Sequence, residues 1–241
     1  MGASSVSGAI NPLDAGTASQ VPADDPDALY KDRENLASAK KATEIWTARL
    51  AANPKDFDSA YKLSQARYWL GTNGLPAPER KGALEAGIAA ARSAIALNPQ
   101  RPEGHFWLAA NMGALAESFG LRQGIKYRGQ IKDAMLVTLK LDPAFLDGSA
   151  DRALGRWYYK VPGLFGGSNK QSEVHLRKSL TYNPNSIISH IFLAETLADM
   201  GRKEEARKEA QAAIDAPLDP DWTPEDRRFK ETAKRLLRDL R

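Results

Sequence analysis

Residues 185–206, near the end of the chain, read NSIISHIFLAETLADMGRKEEA and decide the fold. Apolar residues recur at helical spacing before Gly201, and a run of charged residues with one small residue, Ala206, follows it. A glycine just past a periodic apolar run is typical of the end of a helix. The stretch therefore predicts two helices joined by a tight turn.

Pairs of Asn or Asp followed by Pro recur along the chain, and their prolines are 45, 44, 41 and 36 residues apart. Proline disfavours helix in the residue before it and is well tolerated in the first turn of the next helix. Each pair therefore predicts a boundary between helices, and the period indicates stacked helical hairpins. The pairs are Asn53-Pro54, Asn98-Pro99, Asp142-Pro143, Asn183-Pro184 and Asp219-Pro220.

The register of apolar residues holds from one unit to the next. Leucine stands nine residues after three of the prolines, at Leu63, Leu108 and Leu193. Four residues before the first four prolines stand Leu50, Ile95, Leu139 and Leu180. We expect these four residues and Leu193 to be buried. The pattern predicts helices near 27–52, 56–70, 79–97, 101–119, 125–141, 147–159, 169–182, 186–200, 203–215 and 224–240. Insertions are expected at 71–79 and 161–168.

The stretch 185–206 resembles a tetratricopeptide repeat. Leu193-Ala194 supplies the large–small pair, Gly201 the turn, and Ala206 and Ala213 the small contacts of the second helix. The resemblance implies an all-α, right-handed superhelix of tetratricopeptide-like hairpins with about ten helices, occupying residues 26–241. The concave side, lined by the first helix of each hairpin, is where we expect function.

Residues 1–25 differ in composition from the rest. They are rich in Ser, Ala, Gly, Pro and Asp and lack a basic n-region and an apolar h-region. We expect a flexible leader or tether that is mobile in the free protein, because it cannot bury enough apolar surface to offset the entropy of ordering. A signal peptide, if the protein has one, has been removed.

Charge and cysteine content exclude several classes of protein. The net charge of +4 comes from 34 basic and 30 acidic residues that are mixed along the same segments, as on a solvated helix face. The one-sign stripe of a nucleic-acid-binding protein is missing, so we expect no nucleic-acid partner. With no cysteine, disulfides and thiolate sites are excluded.

The sequence offers no constellation for catalysis. None of His105, His175 and His190 has a second ligand three or four residues away, and no Gly-x-Ser-x-Gly segment is present. We expect no metal, no cofactor and no enzymatic activity. His105 and His190 both stand six residues after a proline, which favours a shared packing role over contact with a ligand.

The glycine-rich segment 162–170 lacks the Gly-Lys-Ser/Thr of a phosphate loop. It indicates a turn in which Ser168 caps the next helix.

Aromatic residues are dense around the insertions. Trp157, Tyr158 and Tyr159 point about 100° apart on a helix, so they cannot all face one core. One interpretation is ordinary repeat packing. The other is an apolar pocket closed by a loop at 161–167, with Phe165 reaching inward and Asn111, Arg156 and Glu195 orienting a ligand or serving as buried hydrogen-bonding residues. The candidate ligand-binding residues are Trp69, Phe106, Trp107, Asn111, Phe119, Tyr127, Arg156, Trp157, Tyr158, Tyr159, Phe165, Phe192 and Glu195.

Longer blocks resemble a narrower family, the T component (TatT) associated with tripartite ATP-independent periplasmic transporters. The blocks are residues 104–107, 124–126, 141–143, 152–168 and 217–226. The resemblance implies a periplasmic protein, often lipid-anchored to the outer membrane, with a pore or cleft for a hydrophobic ligand that is passed to a binding protein. The chain departs from the family in lacking the lipid-carrying cysteine, so the anchor is only implied.

Two functions follow from these patterns. The first is a non-enzymatic periplasmic carrier of an apolar or amphipathic small molecule, such as a lipid, fatty acid or sterol, acting with a transporter component. The second is a scaffold that holds a peptide or protein on its concave side without small-molecule cargo. An enclosed cavity around the aromatic residues would favour the carrier, and an open groove would favour the scaffold.

Overall fold

The computed structural model describes residues 25–240, and within that range the regular structure is helical throughout. The leader expected at 1–25 therefore lies, except for Asp25, outside the described residues. The helices are α1 (Pro26–Lys31), α2 (Leu36–Ala52), α3 (Phe57–Trp69), α4 (Ala77–Leu97), α5 (Pro102–Ser118), α6 (Leu121–Leu141), α7 (Phe145–Lys160), α8 (Asn169–Tyr182), α9 (Ile187–Asp199), α10 (Lys203–Asp215) and α11 (Thr223–Asp239). A π-helical turn at Leu70–Gly74 and a 3-10 turn at Gly163–Phe165 occupy the two expected insertions.

The five Asx-Pro pairs lie between helices, as predicted. In each pair the Asn or Asp side chain accepts a hydrogen bond from the backbone N–H two residues later, over 2.8 to 3.2 Å. This Asx turn satisfies backbone groups while the proline prevents the preceding helix from continuing. The local chemistry of the pair therefore sets the repeat boundary.

Helices on either side of a repeat's internal turn pack as hairpins: α3 with α4, α5 with α6, α7 with α8, and α9 with α10. Successive hairpins stack through α4 on α5, α6 on α7 and α8 on α9. Helix α2 packs at one end of the stack and α11 at the other. The first helices α3, α5, α7 and α9, together with α11, line what we call the concave face.

His105 and His190 share one role, as their equivalent positions predicted. Their Nε2 atoms lie 3.0 and 2.9 Å from the carbonyl oxygens of Pro99 and Pro184. Because a carbonyl oxygen only accepts, Nε2 donates in both cases. Each ring thus fastens the first turn of its helix to the preceding Asx-Pro turn. Ser168 also acts as predicted, since its Oγ accepts from the N–H of Gln171 at the start of α8.

The helix predicted at 27–52 is wrong in one respect, because a turn at 32–35 divides it into α1 and α2. Asn35 caps α2 by accepting from the N–H of Ala37. The turn presents the Arg33 carbonyl to the indole N–H of Trp69, 3.0 Å away. The division of the helix thus allows a contact between this turn and α3, 36 residues along the chain.

The burial predicted for five residues is also wrong for the four that stand one turn before a proline. Leu193 is fully buried, but the other four are only partly buried: Leu50, Ile95, Leu139 and Leu180. In three repeats the fully buried residue is the smaller one immediately before: Ala94, Thr138 and Ser179. A small side chain there lets neighbouring helices approach closely, and the large residue is turned about 100° to the flank.

Helix α7 starts with a left-handed turn, in which the φ angles of Leu146, Asp147 and Gly148 are 44°, 56° and 73°. Gly148 is required there because a Cβ atom would lie 2.5 Å from the ring of Tyr182. The turn takes up two additional residues. The buried large–small pair of this repeat is therefore Leu154-Gly155, eleven residues after its proline instead of nine.

None of the helices in residues 25–240 combines the length and the apolar character that crossing a bilayer requires.

Candidate functional site on the concave face

Most of the aromatic candidates form the central core. Phe106, Trp107, Tyr127 and Trp157 are each less than a tenth exposed and belong to one cluster. The rings of Phe106 and Trp107 meet edge to face at 5.0 Å. Phe119, partly buried, packs against the same cluster. These side chains hold α5, α6 and α7 together.

Phe165 does not reach inward, contrary to the prediction. Its side chain is 45% exposed, and the guanidinium of Arg128 lies 4.9 Å from its ring centre. The loop is also fixed, because Ser168 donates its N–H to the Tyr158 carbonyl over 2.9 Å. A Cβ at Gly167 would overlap the Val161 carbonyl oxygen, so glycine is needed at that point. The segment connects α7 to α8 and does not cover the concave face.

Trp157, Tyr158 and Tyr159 do not all face one core, as predicted, although the rings of Trp157 and Tyr158 meet edge to face with centroids 5.0 Å apart. The indole N–H of Trp157 donates to the Arg128 carbonyl over 2.9 Å. The ring of Tyr158 stacks on His175 with centroids 5.4 Å apart. Tyr159 is partly exposed, with the Arg156 guanidinium 5.7 Å from its ring centre. Only Tyr159 therefore lies next to the charged groups described below.

Asn111 links three helices inside the core. It is fully buried, and its amide donates to the Trp107 carbonyl over 2.8 Å and to the Ser64 hydroxyl over 3.1 Å. Its Oδ1 lies against Gly87 without a hydrogen-bond donor among the described residues. The side chain joins α3, α4 and α5.

Arg156 and Glu195 are brought together with Phe192. The Arg156 guanidinium donates to Glu117 on α5 over 3.0 Å and to Glu195 on α9, and it lies 4.3 Å from the ring centre of Phe192. Burial lowers the pKa of Arg156, but the two carboxylates outweigh burial and leave the pKa raised. The three concave helices α5, α7 and α9 are thus bridged, and the charge of Arg156 is already neutralised.

Arg152, four residues before Arg156 on α7, differs from Arg156 in its surroundings. It is partly buried, and among the described residues no carboxylate lies within 4.0 Å of it. Burial lowers the pKa of its guanidinium, and the more distant carboxylates of Asp147 and Asp226 oppose this only in part. The spacing places it on the same face of α7 as Arg156. The four-residue spacing between the two arginines is visible in the sequence, but Arg152 was not among the predicted site residues.

Tyr68 contributes a neutral phenol to the same region. Its ring packs on Trp107 with centroids 5.6 Å apart, and burial raises its pKa to about 12. Burial likewise raises the pKa of Tyr30, on α1. Both side chains are partly buried, and Tyr68 lies on α3, one of the helices of the concave face.

The two ends of the superhelix meet through Arg33. Its guanidinium donates to both carboxylate oxygens of Glu225 over 3.0 and 2.6 Å, and to the Asp221 carbonyl over 2.6 Å. It also lies 5.3 Å from the ring centre of Trp69 and 5.9 Å from that of Trp222. We call Arg33, Trp69, Trp222 and Glu225 the clasp. It joins the turn after α1 to the start of α11.

The clasp contains a buried ion pair. Side-chain exposure is 4% for Arg33 and 14% for Glu225. Burial raises the pKa of the Glu225 carboxyl, and Arg33 offsets this only in part. Trp222 also packs against the central core. The start of α11 therefore lies against the concave face.

Two depressions stand out among the described residues. One of about 210 Å³ lies at the clasp and is lined by Leu36, Trp69, Pro224 and charged neighbours. The other, of about 300 Å³, is a polar surface hollow between α10 and α11. Neither resembles the apolar cavity, typically ~300–1,000 Å³, that encloses a drug-sized ligand. Among residues 25–240 no cluster of three or more His, Asp or Glu side chains could hold a metal.

Comparison with protein families gives two matches. The family described as TRAP transporter T-component matches residues 98–241, more than half of the chain. The chain belongs to the TRAP transporter T-component family. This membership implies association with a periplasmic transport system. The family described as regulator of microtubule dynamics protein 1-3 also matches, at residues 24–165, so the two matches overlap at 98–165.

Solved structures similar to this T-component are tetratricopeptide proteins. TTC0263, a thermophilic tetratricopeptide protein of Thermus thermophilus, superposes with a TM-score of 0.65 at 19% identity, covering 88% of this chain and 97% of its own. MamA superposes with a TM-score of 0.52 at 14% identity, covering 83% of this chain and 95% of its own. YrrB, described as a tetratricopeptide protein with an unusual peptide-binding site, superposes with a TM-score of 0.50 at 15% identity. The match covers 83% of this chain and 93% of YrrB. At such identities the similarity shows the fold alone. None of the curated proteins matches the chain.

Proposed function

We propose that this T-component is a non-enzymatic binding protein whose concave face recognises a carboxylate-bearing segment of a partner protein through Arg152. The observation that carries the proposal is the contrast between two arginines on one face of α7. Arg156 is held between two carboxylates, whereas Arg152 has none within 4.0 Å among the described residues. A partly buried guanidinium without a counter-charge gains from binding one.

The chemistry of the site suits a carboxylate. Arginine presents a planar fork of donors that matches a carboxylate in two parallel hydrogen bonds. Among the other polar groups of the concave face, Tyr68 has a phenol kept neutral by its raised pKa, which can donate a further hydrogen bond. A peptide carrying Asp, Glu or a free C-terminus supplies such a group. The peptide-binding site described for YrrB offers a precedent for this fold.

The same proposal includes where in the cell the protein acts and what it binds there. The partner is a component of the periplasmic transport system, such as its binding protein. Residues 26–241 form the recognition domain, and residues 1–25 act as the tether to an outer-membrane lipid anchor. The resemblance to the T-component family supports this arrangement.

Fluorescence anisotropy with labelled hexapeptides tests the recognition step. We expect acidic peptides to bind, and matched peptides with Gln for Glu and an amidated C-terminus to bind weakly. Arg152→Gln should weaken acidic-peptide binding about 10- to 100-fold, since a hydrogen bond to a charged group contributes roughly 1.5–3 kcal/mol.

The control is Arg92→Gln, an exposed arginine on α4 with one 3.4 Å contact to Gln130. It should bind acidic peptides like the wild type. Equal binding of acidic and neutral peptides, or unchanged binding by Arg152→Gln, would contradict the proposal.

Carriage of an amphipathic small molecule is the second candidate. The clasp favours it, because joining the two ends encircles the concave face, where Tyr61, Tyr68 and Trp222 keep accessible aromatic surface. A fatty acid would place its carboxylate at Arg152 and its chain along these rings. Native mass spectrometry of the purified protein separates the two candidates, since co-purified cargo adds a defined mass that lipid extraction removes.

A further inference from the structure

Exposed apolar side chains are concentrated on one part of the outer surface, away from the concave face. Eight large apolar side chains are exposed among the described residues, and six of them lie on α6, on α8 or in the connection from α7 to α8. Leu164, at the tip of that connection, is 90% exposed. The six are Ile125, Leu136, Val137, Leu164, Phe165 and Val174.

Helix α6 adds positive charge to the same region, because the mixing of basic and acidic residues expected from the sequence does not extend to this helix. It carries five basic residues and one acidic residue. Among the described residues none of the five has a carboxylate within 4.0 Å, whereas on the neighbouring α8 Arg177 pairs with Glu173 over 2.9 Å. The five are Arg122, Lys126, Arg128, Lys132 and Lys140.

The apolar and basic groups form one surface. The Arg128 guanidinium covers the ring of Phe165 at 4.9 Å. Ile125, Arg128 and Lys132 are three and four residues apart, so they share a face of α6. We call Ile125, Arg128, Lys132, Leu164 and Phe165, together with the exposed Arg122 and Lys126 that flank Ile125 on α6, the basic-apolar surface.

We propose that the basic-apolar surface docks the protein on an anionic lipid bilayer, with Leu164 and Phe165 inserted among the headgroups and the cations of α6 facing lipid phosphates. Cations flanking protruding apolar side chains are the arrangement that binds at a bilayer interface. This inference concerns the outer surface and does not depend on the function of the concave face.

Other occupants fit the basic-apolar surface less well. A second copy of the chain, related by a two-fold axis, would bring the α6 cations against themselves. The core of a protein interface is usually depleted of lysine, whereas α6 carries three lysines: Lys126, Lys132 and Lys140. Leu164 protrudes from a turn and lines no groove. Charge and shape together favour an anionic bilayer.

Vesicle flotation with the full chain tests the proposal. We expect binding to vesicles of phosphatidylglycerol and phosphatidylcholine, weak binding to phosphatidylcholine alone, and loss of binding as NaCl is raised. Leu164→Glu should reduce binding on the order of tenfold, and Arg122→Gln with Lys126→Gln by roughly ten- to thirtyfold. All three side chains are exposed, so folding should be unaffected.

Matched controls carry the same charge changes elsewhere. Met200→Glu, 37% exposed after α9, and Lys203→Gln with Lys208→Gln on α10 should bind vesicles like the wild type. Equal binding to both kinds of vesicle, or equal losses in test and control variants, would overturn the proposal. So would failure to float together with binding to poly-L-glutamate, which would assign the surface to an acidic protein partner.

Discussion

At the scale of single residues, Gly87 and Asn111 fix how closely α4 approaches α3 and α5. The Gly87 carbonyl accepts from the Ser64 hydroxyl over 2.8 Å, and that hydroxyl accepts from the Asn111 amide. A Cβ on residue 87 would lie 2.1 Å from Asn111 Oδ1. Glycine therefore makes room for a buried polar side chain that ties three helices together.

Gly87→Ala should destabilise the protein by about 2–4 kcal/mol, because the alanine displaces Asn111 and breaks its buried hydrogen bonds. Gly82→Ala, in open space on the same helix, should instead be neutral or stabilise by up to about 1 kcal/mol through helix propensity. Urea unfolding of both variants measures the contrast. If Gly87→Ala lowers the free energy of unfolding by the same amount in an Asn111→Ala background, the close contact with Asn111 is not the cause of the loss.

At the scale of elements, the connection from α7 to α8 separates a core aromatic from a surface aromatic eight residues later. Trp157→Ala should cost about 3–5 kcal/mol in unfolding free energy, because it leaves a cavity in the core and removes the hydrogen bond from the indole to the Arg128 carbonyl. Phe165→Ala should cost less than about 1 kcal/mol, since its ring is half exposed and makes mainly a cation–π contact. Urea unfolding of the two variants measures both costs. Comparable losses in both variants would show that the connection is part of the core.

Local chemistry explains which elements the sequence could predict. The Asx-Pro turns, the cap at Ser168 and the hydrogen bonds of His105 and His190 involve residues two to six apart, so their patterns can be found in one stretch of sequence. The orientation of Trp157 depends on the Arg128 carbonyl of another hairpin, 29 residues away. Helical periodicity predicts that adjacent aromatics diverge but not which of them a neighbouring helix covers.

The candidate site was less predictable than the fold for the same reason. The pairing of Arg156 with Glu195 spans 39 residues, and the clasp joins Arg33 to Glu225 across 192. No local pattern marks partners at such separations. Arg152 is distinguished by having no carboxylate within 4.0 Å among the described residues, which becomes visible only when the concave helices are assembled.

At the scale of the whole molecule, the clasp joins the two ends of the superhelix through the ion pair of Arg33 and Glu225. A buried ion pair contributes little net stability, because desolvation offsets attraction, but removing one partner leaves a buried charge unpaired. Arg33→Met alone should therefore cost about 3–5 kcal/mol, and Arg33→Met with Glu225→Met clearly less. A second ion pair joins the same two segments, Glu34 with Arg227 over 2.9 Å, and both of its side chains are more than half exposed. Replacing that pair should cost at most about 1 kcal/mol.

The same variants show whether the clasp holds the ends together. Because the chain has no cysteine, spin labels can be placed specifically at Lys31→Cys and Arg235→Cys, both exposed and on opposite sides of the clasp. In the wild type we expect one narrow distance distribution from pulsed electron spin resonance. Arg33→Met should broaden it towards longer distances, since the remaining Glu225 carboxylate gains hydration when the ends part. The exposed-pair variant should keep the narrow distribution. An unchanged distance in Arg33→Met, measured below its unfolding transition, would mean that packing of Trp222 on the central core closes the superhelix without the ion pair.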